Sequence, residues 1–560
     1  MFEQEVKKII AKAAGLKEIE IALETPPHLD MGDYAFPCFV LAKTMKKNPV
    51  AIAEELQKKI KPDAYIEKVK NNGPYLNFFI NKKAFNESII KKILSEKENC
   101  GKGKASKEKV MIEYSQPNTH KEFHVGHLRT LFLGESLSRI YEFSGVKVIR
   151  ANYIGDVGTH IAICLWCYLK FHAKDKIPEN KGKYLGKLYV EGVKKVEDNP
   201  AYKKEVSEIH QKLENDDKQL IALWKKTKEW SMSEFLAIYK EFDVHFDKIY
   251  FESEVEKEGK SIAEILLKKG IAKIDQGAIL VDLQKYDLGV FLIKKSDGTS
   301  LYATKDLALA SRKFKEFAID ESIYVVDSRQ KMYFQQLFKV LALMGFTKKL
   351  LHLPYEFVAL KEGPISSRKG IMALYEEVRD AMIKKSYEET KKRHADWNEK
   401  KIMQNAKQIT LSALRFSILK IDHNKVITFD IDEALDFEGE TGPYIQYAHA
   451  RICSILKNYG KKTDAKADFS LLHEPEEKEL LLLLQQFPFM VADAKEHYKP
   501  ALMARYLLDL SQKFNEYYHK HQILKEKESV KKARLLLVSA VKIVLANGLL
   551  LLGIDALDEM

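Results

Sequence analysis

Cysteine is scarce in this sequence, at five of 560 residues. An odd number of cysteines without disulfide-like spacing is typical of a reducing compartment, so we expect a cytoplasmic protein. Cys164 and Cys167 form a CxxC pair, but they lie in the apolar run ICLWCYLK and no second pair follows. The pattern favours buried packing over redox or metal chemistry, and we expect no structural zinc.

Targeting and membrane signals are also lacking. The N-terminal segment MFEQEVKKIIAKAAG is amphipathic and carries acids, unlike a signal peptide or a membrane span. The apolar run Leu535–Ile554 is interrupted by Lys542, Asn547 and Gly548, which predicts a buried helix and no membrane partner. The net charge of +12 is small for this length, so it permits a polyanionic partner without requiring one.

The most informative segment is a strand, loop and helix in the first half of the chain. Lys109–Ser115 (KVMIEYS) is a predicted strand, a polar loop follows, and an apolar-periodic helix runs from about His127 to Phe143. Gly145 ends that helix before a second predicted strand, Lys147–Ile154. In such a βαβ unit the loop lies at the carboxyl end of the first strand, where free helix N–H groups favour phosphate. We therefore predict a nucleotide site at this loop.

The rest of the chain suggests a multidomain α/β protein. Hydrophobic residues make up 46% of the chain, enough for several cores. Amphipathic helices dominate after Asn405, with breaks near Pro443, Gly460 and Pro488. The predicted units are a small α+β domain at 1–95, a lysine-rich linker at 96–108, a Rossmann-like parallel-sheet catalytic domain at 109–404 with a helical insertion at about 170–256, and an all-α bundle at 405–560.

The loop of the βαβ unit contains side chains suited to phosphate. His124 and His127 can donate hydrogen bonds to phosphate oxygens, Gly126 lets a nucleotide approach the backbone, and Lys121 adds a mobile cation. The HxGH pattern alone also fits two histidines that merely cap a helix. The longer string SQPNTHKEFHVGHLR, however, resembles the HIGH signature of class I aminoacyl-tRNA synthetases, and in particular that of the arginyl-tRNA synthetases.

A second string resembles the other signature of that class. Gly363–Gly370 reads GPISSRKG and is similar to the KMSTRKG loop of arginyl enzymes, which closes over the triphosphate of ATP. The first lysine of the family loop is replaced by Pro364 and its second by Ser367, and the resemblance implies that Lys121 substitutes for them. The implied ATP-binding residues are Gly126, Ser366, Ser367, Arg368 and Lys369, and the implied catalytic residues are His124, His127 and Lys121.

The resemblance also implies an arginine pocket. A guanidinium needs a planar carboxylate partner, and TSLYATKD at Thr299–Asp306 is similar to the family element TLYxTRD, whose Tyr and Asp bind it. Glu113 resembles the acid that binds the α-amino group of the arginine substrate in this family. Two departures are Tyr333, where the family usually has His, and His160, where it usually has Gln. The implied arginine-binding residues are Glu113, Ser115, Asn118, Tyr302, Asp306 and Gln330.

Both ends of the chain resemble RNA-contacting parts of the family. EGETGPYIQYAHAR at Glu438–Arg451 is similar to the entry of the helical anticodon-binding domain, and the terminus ANGLLLLGIDALDEM is similar to the family's terminus. MGDYA and GPYLNFF resemble the N-terminal module that contacts the tRNA elbow. Tyrosines can stack on splayed bases, although such residues are as often part of a core. The implied tRNA-binding residues are Asn77, Tyr444, Tyr447 and Met560.

The resemblance as a whole implies ATP-dependent ligation of L-arginine to tRNA(Arg) by a monomer, with Mg²⁺ entering as part of the ATP complex. Two alternatives stay open. Cysteinyl-type synthetases and small-molecule nucleotidylyltransferases also carry an HxGH loop, but the former would show a zinc-ligand cysteine set and the latter would be shorter. A non-catalytic tRNA-binding paralogue should have lost part of the HIGH string, which is intact here.

Overall fold

The computed structural model describes residues 2–17, 21–24, 26–28, 31–296, 302–361, 374–461 and 466–560. Its N-terminal unit packs helices on one face of a small antiparallel sheet with the strand order β1-β3-β2. The elements are α1 (Phe2–Ala14), β1 (Tyr34–Pro37), α2 (Ala42–Met45), α3 (Pro49–Lys59), β2 (Ile66–Asn72) and β3 (Tyr75–Ile80).

The middle of the chain alternates strands with helices. Up to the sixth strand its elements are α4 (Lys82–Glu96), β4 (Lys109–Glu113), α5 (Val125–Phe143), β5 (Lys147–Ile154), α6 (Thr159–Cys167), α7 (Lys181–Asp198), α8 (Tyr202–Glu214), α9 (Lys218–Glu241) and β6 (Lys248–Phe251). After it come α10 (Glu252–Lys268), β7 (Lys273–Asp275), β8 (Ala278–Asp282), β9 (Val290–Lys294), α11 (Tyr302–Phe317), β10 (Glu321–Asp327), α12 (Lys331–Leu343), β11 (Lys349–Tyr355) and β12 (Val358–Leu360).

Five of the described strands form the central parallel sheet, in the order β11-β10-β4-β5-β6. The chain passes from β4 to β5 to β6 in one direction, and β10 then pairs with the opposite side of β4. Loops after β4 and β10 therefore leave in opposite directions, which opens a crevice at the carboxyl ends of these two strands. The predicted parallel-sheet fold is confirmed, and its switch point lies at the predicted nucleotide loop.

Two stretches differ from the predicted pattern. The region expected to be helical at about 170–256 includes β6, a four-residue strand that forms the edge of the central sheet. Within the domain predicted to have a parallel sheet, residues 273–294 form a separate antiparallel sheet, β7-β8-β9, that packs against α10 to α12.

The C-terminal part is mainly helical, as predicted. Pro443 lies at the start of α16 and Gly460, with φ of +68°, ends it, but the break predicted near Pro488 is wrong because α17 continues through this proline. Phe487 and Val491 on either side of it are buried in the core and stabilise the helix there. The elements are α13 (Tyr375–Arg393), α14 (Glu399–Leu419), β13 (Ile427–Phe429), α15 (Ile431–Ala434), α16 (Gly442–Tyr459), α17 (Pro475–Glu496), α18 (Pro500–Lys520) and α19 (Glu528–Leu551).

Helix α19 is the one described helix that is long and apolar enough to cross a membrane. Within the fold, 72% of its apolar window is buried. It packs against α4, α5, α16 and α18, so the predicted apolar run forms part of the core.

Hydrogen bonds from α4 and α5 help join the helical bundle to the rest of the described chain. The amide of Asn86 on α4 donates to the carbonyls of Phe469 and Leu472 at 3.1 and 3.0 Å, so α4 packs with the bundle. On α5 the buried guanidinium of Arg129 donates to the carbonyls of Ile418 and Asp422 at 2.7 and 2.9 Å. The helix that follows the nucleotide loop is therefore held by the end of α14.

Candidate nucleotide and amino-acid site

The two histidines of the HVGH sequence lie together at the N-terminus of α5. Their rings are stacked, with centroids 3.7 Å apart and an angle of 26° between planes. The backbone N–H of His124 donates to Nδ1 of His127 at 3.2 Å. Because Nδ1 of His127 accepts this bond, its proton lies on Nε2, which is left to donate to a ligand. Nδ1 of His124 is buried and has no hydrogen-bond partner among the described residues.

Both imidazoles are neutral at pH 7. Burial, and then the ammonium of Lys121, lower the pKa of His124 to about 4. Burial, His124 and Lys121 hold the pKa of His127 well below its ordinary value. A neutral imidazole carries one N–H donor and no charge, so the positive charge at this helix N-terminus comes from Lys121 and the helix dipole. Gly126 is the second residue of α5 and is partly exposed.

The second predicted loop, with Ser366, Ser367, Arg368 and Lys369, lies outside the described residues. The chain after it is fixed beside the HVGH sequence, because Leu374 forms an antiparallel bridge with His124. The N–H of Tyr375 also donates to the carbonyl of Phe123 at 3.1 Å. The chain that follows the second segment therefore lies at the N-terminus of α5.

Glu113 lies at the carboxyl end of β4 and forms a buried ion pair with Lys313 of α11. Burial alone would lower the pKa of Lys313, but the carboxylate of Glu113 raises it above its ordinary value. The ammonium also lies 4.1 Å from the ring centroid of Tyr324. The sequence pattern did not point to Lys313. The available signal was its position seven residues after Asp306, on the same face of a helix.

Asp306 lies on the first turns of α11, and one of its carboxylate oxygens accepts a hydrogen bond from the hydroxyl of Tyr333. Burial raises the pKa of Asp306 to about 7; the bond from Tyr333 acts in the opposite direction, and the carboxylates of Glu113 and Glu252 raise it further. Tyr333, one of the two residues that depart from the family pattern, is thus the direct neighbour of Asp306.

The other acids of this region are already paired with cations. Ammonium groups lie 3.1 Å from Glu252 and 2.7 Å from Asp156, in addition to the pair at Glu113. Among the described residues no ion pair joins Asp306 to a basic side chain. The pocket therefore has one carboxylate left to bind a cationic ligand. The pairs are Glu252 with Lys305, Asp156 with Lys228 and Glu113 with Lys313.

Two further buried polar atoms around this pocket lack partners among the described residues, namely the hydroxyl of Tyr153 and Nε2 of His160. Burial and the nearby Lys121 lower the pKa of His160 to about 4, so this ring is neutral too. The acids nearest Tyr153 include Asp306, Glu252 and Glu113, which raise its pKa after burial. Buried polar groups without hydrogen-bond partners are expected where a polar ligand binds.

The remaining predicted pocket residues have different positions. The hydroxyl of Ser115 is buried and lies 2.8 Å from the hydroxyl of Tyr239. Asn118 bridges to Gly155, where a Cβ would lie 2.2 Å from the Asn118 amide oxygen, so this contact requires glycine. Gln330 is exposed at the start of α12, and no hydrogen bond to Asp306 is seen among the described residues. Tyr302 begins α11, but its side chain lies outside the described residues.

A second site lies in the helical bundle, around a cavity of about 780 Å³. Tyr447 and Met560, both predicted to contact RNA, line it together. The guanidinium of Arg451 lies 4.6 Å from the ring centroid of Tyr447 and 4.9 Å from that of Tyr518. Trp397, at the entry of α14, also lines the cavity. Tyr518 and Trp397 were missed because they come from distant parts of the chain, α18 and the turn before α14.

The other two residues predicted to contact RNA are placed elsewhere. Tyr444 is half-buried and packs against the main hydrophobic core rather than lining the cavity. Asn77 lies on β3 with 5% of its surface exposed, and its amide oxygen has no partner among the described residues. In this conformation the carboxamide of Asn77 is covered.

Comparison with known proteins identifies the whole chain. Three family models match successive parts: Arginyl tRNA synthetase N terminal domain at residues 1–80, tRNA synthetases class I (R), catalytic domain at 89–431, and DALR anticodon binding domain at 445–560. The arginine–tRNA ligase of Clostridioides difficile is 40% identical over 547 residues, covering 97% of this chain and 96% of the relative. That of Halothermothrix orenii is 38% identical, with the same coverage of 97% and 96%.

Solved structures agree. The arginyl-tRNA synthetase of Thermus thermophilus matches with a TM-score of 0.80 and 28% identity, covering 100% of both chains. The enzyme of Plasmodium falciparum matches with a TM-score of 0.76 at 23% identity, over 99% of this chain and 98% of that one, and so supports the fold. With a catalytic-domain model that covers most of the chain and full-length relatives near 40% identity, this protein belongs to the arginyl-tRNA synthetase family of class I aminoacyl-tRNA synthetases.

Proposed function

We propose that this chain ligates L-arginine to tRNA(Arg) through an arginyl-adenylate, consuming ATP and releasing AMP and pyrophosphate. The observation that carries the proposal is Asp306, a carboxylate that forms no ion pair with a basic side chain among the described residues and whose neighbours include Tyr333, Glu113 and Glu252. A pocket short of one positive charge suits an amino acid with a cationic side chain. Family membership supports arginine as that amino acid.

The chemistry requires positioning and charge stabilisation. The arginine carboxylate attacks the α-phosphorus of ATP and pyrophosphate leaves; a hydroxyl of the terminal tRNA ribose then attacks the adenylate carbonyl and AMP leaves. His124 and His127 are suited to donate to phosphate oxygens, and Lys121 with the loop Ser366–Lys369 supplies positive charge. Mg²⁺ enters with ATP as part of the substrate, and no residue of this chain is assigned to it.

Arginine would lie along the carboxyl ends of β4 and β10. Asp306 is proposed to bind the guanidinium through the oxygen that Tyr333 leaves available. Glu113 is proposed to bind the α-amino group while it keeps its contact with Lys313. Lysine should be rejected, because a compact ammonium cannot make the planar two-point contact of a guanidinium.

Transfer RNA is proposed to contact both ends of the chain. The cavity at Tyr447, Arg451 and Met560 combines aromatic faces with positive charge, the combination that binds splayed bases of single-stranded RNA. The unit at 1–95 is proposed to contact the tRNA outside the anticodon, with Asn77 uncovered on binding, and 109–404 and 405–560 to be the catalytic and anticodon-binding domains. The proposal takes the chain as a cytoplasmic monomer.

The direct test of the two-step chemistry is AMP formation from ATP. We expect AMP and arginyl-tRNA to form in equal amounts when L-arginine, Mg²⁺-ATP and total cellular tRNA are all present. Omitting arginine should reduce AMP formation to background. Arginine-independent AMP formation at the full rate would contradict the proposal.

Lys121 is expected to carry charge that the second loop lacks. Replacing Lys121 with alanine should lower kcat more than it changes KM, since the ammonium acts mainly on the charge of the transition state. A lysine introduced by Ser367→Lys in that variant should restore part of the rate. Single-turnover rates of the two variants decide the point: an unchanged rate in the first, or no recovery in the second, counts against a shared charge.

Arginine binding is expected to release a proton near neutral pH. Since burial raises the pKa of Asp306 to about 7 and the guanidinium binds the ionised carboxylate, a proton must leave when arginine binds below that pH. The dissociation constant should therefore rise as the pH falls through about 7, approaching tenfold per pH unit. Calorimetry in two buffers of different ionisation enthalpy measures the released proton.

A matched control exists for this proton. Burial, and then Glu376 and Glu122, raise the pKa of Glu234 to about 7 as well, but Glu234 lies against α7 rather than in the arginine pocket. Glu234→Gln should keep the proton release, whereas Asp306→Asn should abolish it. If proton release were lost in Glu234→Gln and kept in Asp306→Asn, the proton would come from Glu234, and the proposed role of Asp306 would be contradicted.

A further inference from the structure

One face of helix α7, in the helical insertion, forms the wall behind the HVGH loop. Gly182, Gly186 and Tyr189 are spaced at i, i+4 and i+7 and so share this face. A Cβ on Gly186 would lie 2.1 Å from Cγ of Glu122, and one on Gly182 would lie 1.7 Å from a carboxylate oxygen of Glu234. Gly186 therefore allows α7 to lie close to the loop, and Gly182 allows it to lie close to α9.

Tyr189 meets the residue next to Glu122. The ammonium of Lys121 lies 5.0 Å from the centroid of the Tyr189 ring, within the range of a cation–π contact. One face of α7 thus contacts two consecutive side chains of the loop, Lys121 and Glu122. The contact fixes the direction of a side chain that is otherwise long and flexible.

The same helix also reaches the segment that follows the second signature loop. The ammonium of Lys183 and the amide of Asn180 each lie 3.4 Å from the carboxylate of Glu376, the second residue of α13. Helix α7 therefore contacts the chain next to both signature loops. Its position sets the distance between the insertion and the phosphate-binding side of the site.

The held ammonium is close to the ligand-binding imidazoles. Its charge is among the causes that lower the pKa of His124, His127 and His160, so it acts on all three rings. A charge in this position would face the phosphates that these rings bind. If the side chain of Lys121 instead extended into solvent, its charge would be farther from these rings and screened by salt over about 8–10 Å at physiological ionic strength.

We propose that Tyr189 is a positioning residue, whose ring holds the ammonium of Lys121 at the phosphate side of the HVGH loop, so that the helical insertion determines where this charge stands. The inference rests on the proposed function and adds to it a residue outside both signature loops. The face of the ring makes the contact with the ammonium of Lys121, so the hydroxyl of Tyr189 is not needed.

The first test compares two substitutions in the full-length protein. Tyr189→Phe keeps the ring and should leave the single-turnover rate of arginyl transfer near the wild-type value. Tyr189→Leu removes the ring face and should lower that rate about 2- to 30-fold, the range of cation–π contacts, with KM for arginine little changed. Val190→Ala, at the exposed neighbour on α7, is the matched control and should have no effect.

The second test is a double-mutant cycle with Lys121→Ala. If Tyr189 acts through Lys121, Tyr189→Leu should cause no further loss in the Lys121→Ala background. Equal rates for Tyr189→Leu and Tyr189→Phe, or an undiminished loss in that background, would overturn the proposal. Tyr189→Met, which keeps much of the side-chain volume, replaces the leucine variant if its melting temperature falls. A wild-type protein that transfers no arginine would instead overturn the proposed function itself.

Discussion

Replacing His127 with alanine is expected to lower the single-turnover rate of arginyl transfer about 100-fold or more. The ring of His127 is neutral, its Nδ1 accepts the N–H of His124, and its Nε2 remains to donate to phosphate. A donor directed at charge that develops in the transition state is typically worth about 3–4 kcal/mol and little in the ground state. The affinity for tRNA should therefore stay nearly unchanged, as measured by filter binding on the same preparation.

His172→Ala is the control for this loss. His172 lies on the insertion and pairs with Asp175 and Glu191, away from the HVGH sequence. We expect the control to transfer arginine at the wild-type rate. Near-normal turnover of the His127 variant would mean that this ring does not act on the reacting phosphate, and the assignment of the nucleotide site would have to be withdrawn.

Replacing Asp306 with asparagine is expected to weaken arginine binding by about two to four orders of magnitude. A guanidinium that enters the pocket without its charged partner loses roughly 3–5 kcal/mol. Asparagine has the same shape and can still accept the hydrogen bond of Tyr333, so the fold around α12 should persist. Calorimetric titration with arginine measures the change, and the affinity for ATP should differ little.

A surface acid provides the comparison. Asp282 lies on β8, paired with Lys273 and outside the pocket. Asp282→Asn should bind arginine with wild-type affinity. If Asp306→Asn also did so, Asp306 would not contact the guanidinium, and another of the buried acids would have to take that role.

The βαβ unit could be predicted from the sequence because its signals are local. Apolar periodicity, the polar loop and Gly145 lie within one stretch of chain, and the observed β4, α5 and β5 agree with the prediction to within a few residues. Elements that depend on distant contacts could not be predicted. Strand β6 is only four residues long and is stabilised by pairing with β5, and α17 passes through Pro488 because its flanking residues are buried.

In the site, too, the residue types could be predicted from local sequence, but the contacts between distant residues could not. The residue types of the HVGH loop pointed to phosphate, but the neutrality of its histidines follows from burial and from Lys121, which only the fold supplies. Lys313 was missed because its partner, Glu113, is 200 residues earlier in the chain. Tyr333 was noticed as a departure from the family, yet its bond to Asp306 depends on how α11 and α12 pack.

The most direct test of the proposed function is charging of total cellular tRNA with each of the twenty amino acids, supplied one at a time with Mg²⁺-ATP. Acid-precipitable radiolabel measures the aminoacyl-tRNA formed. The proposal predicts label with arginine and background with the other nineteen, lysine included. Background with arginine, or equal charging with another amino acid, would contradict it.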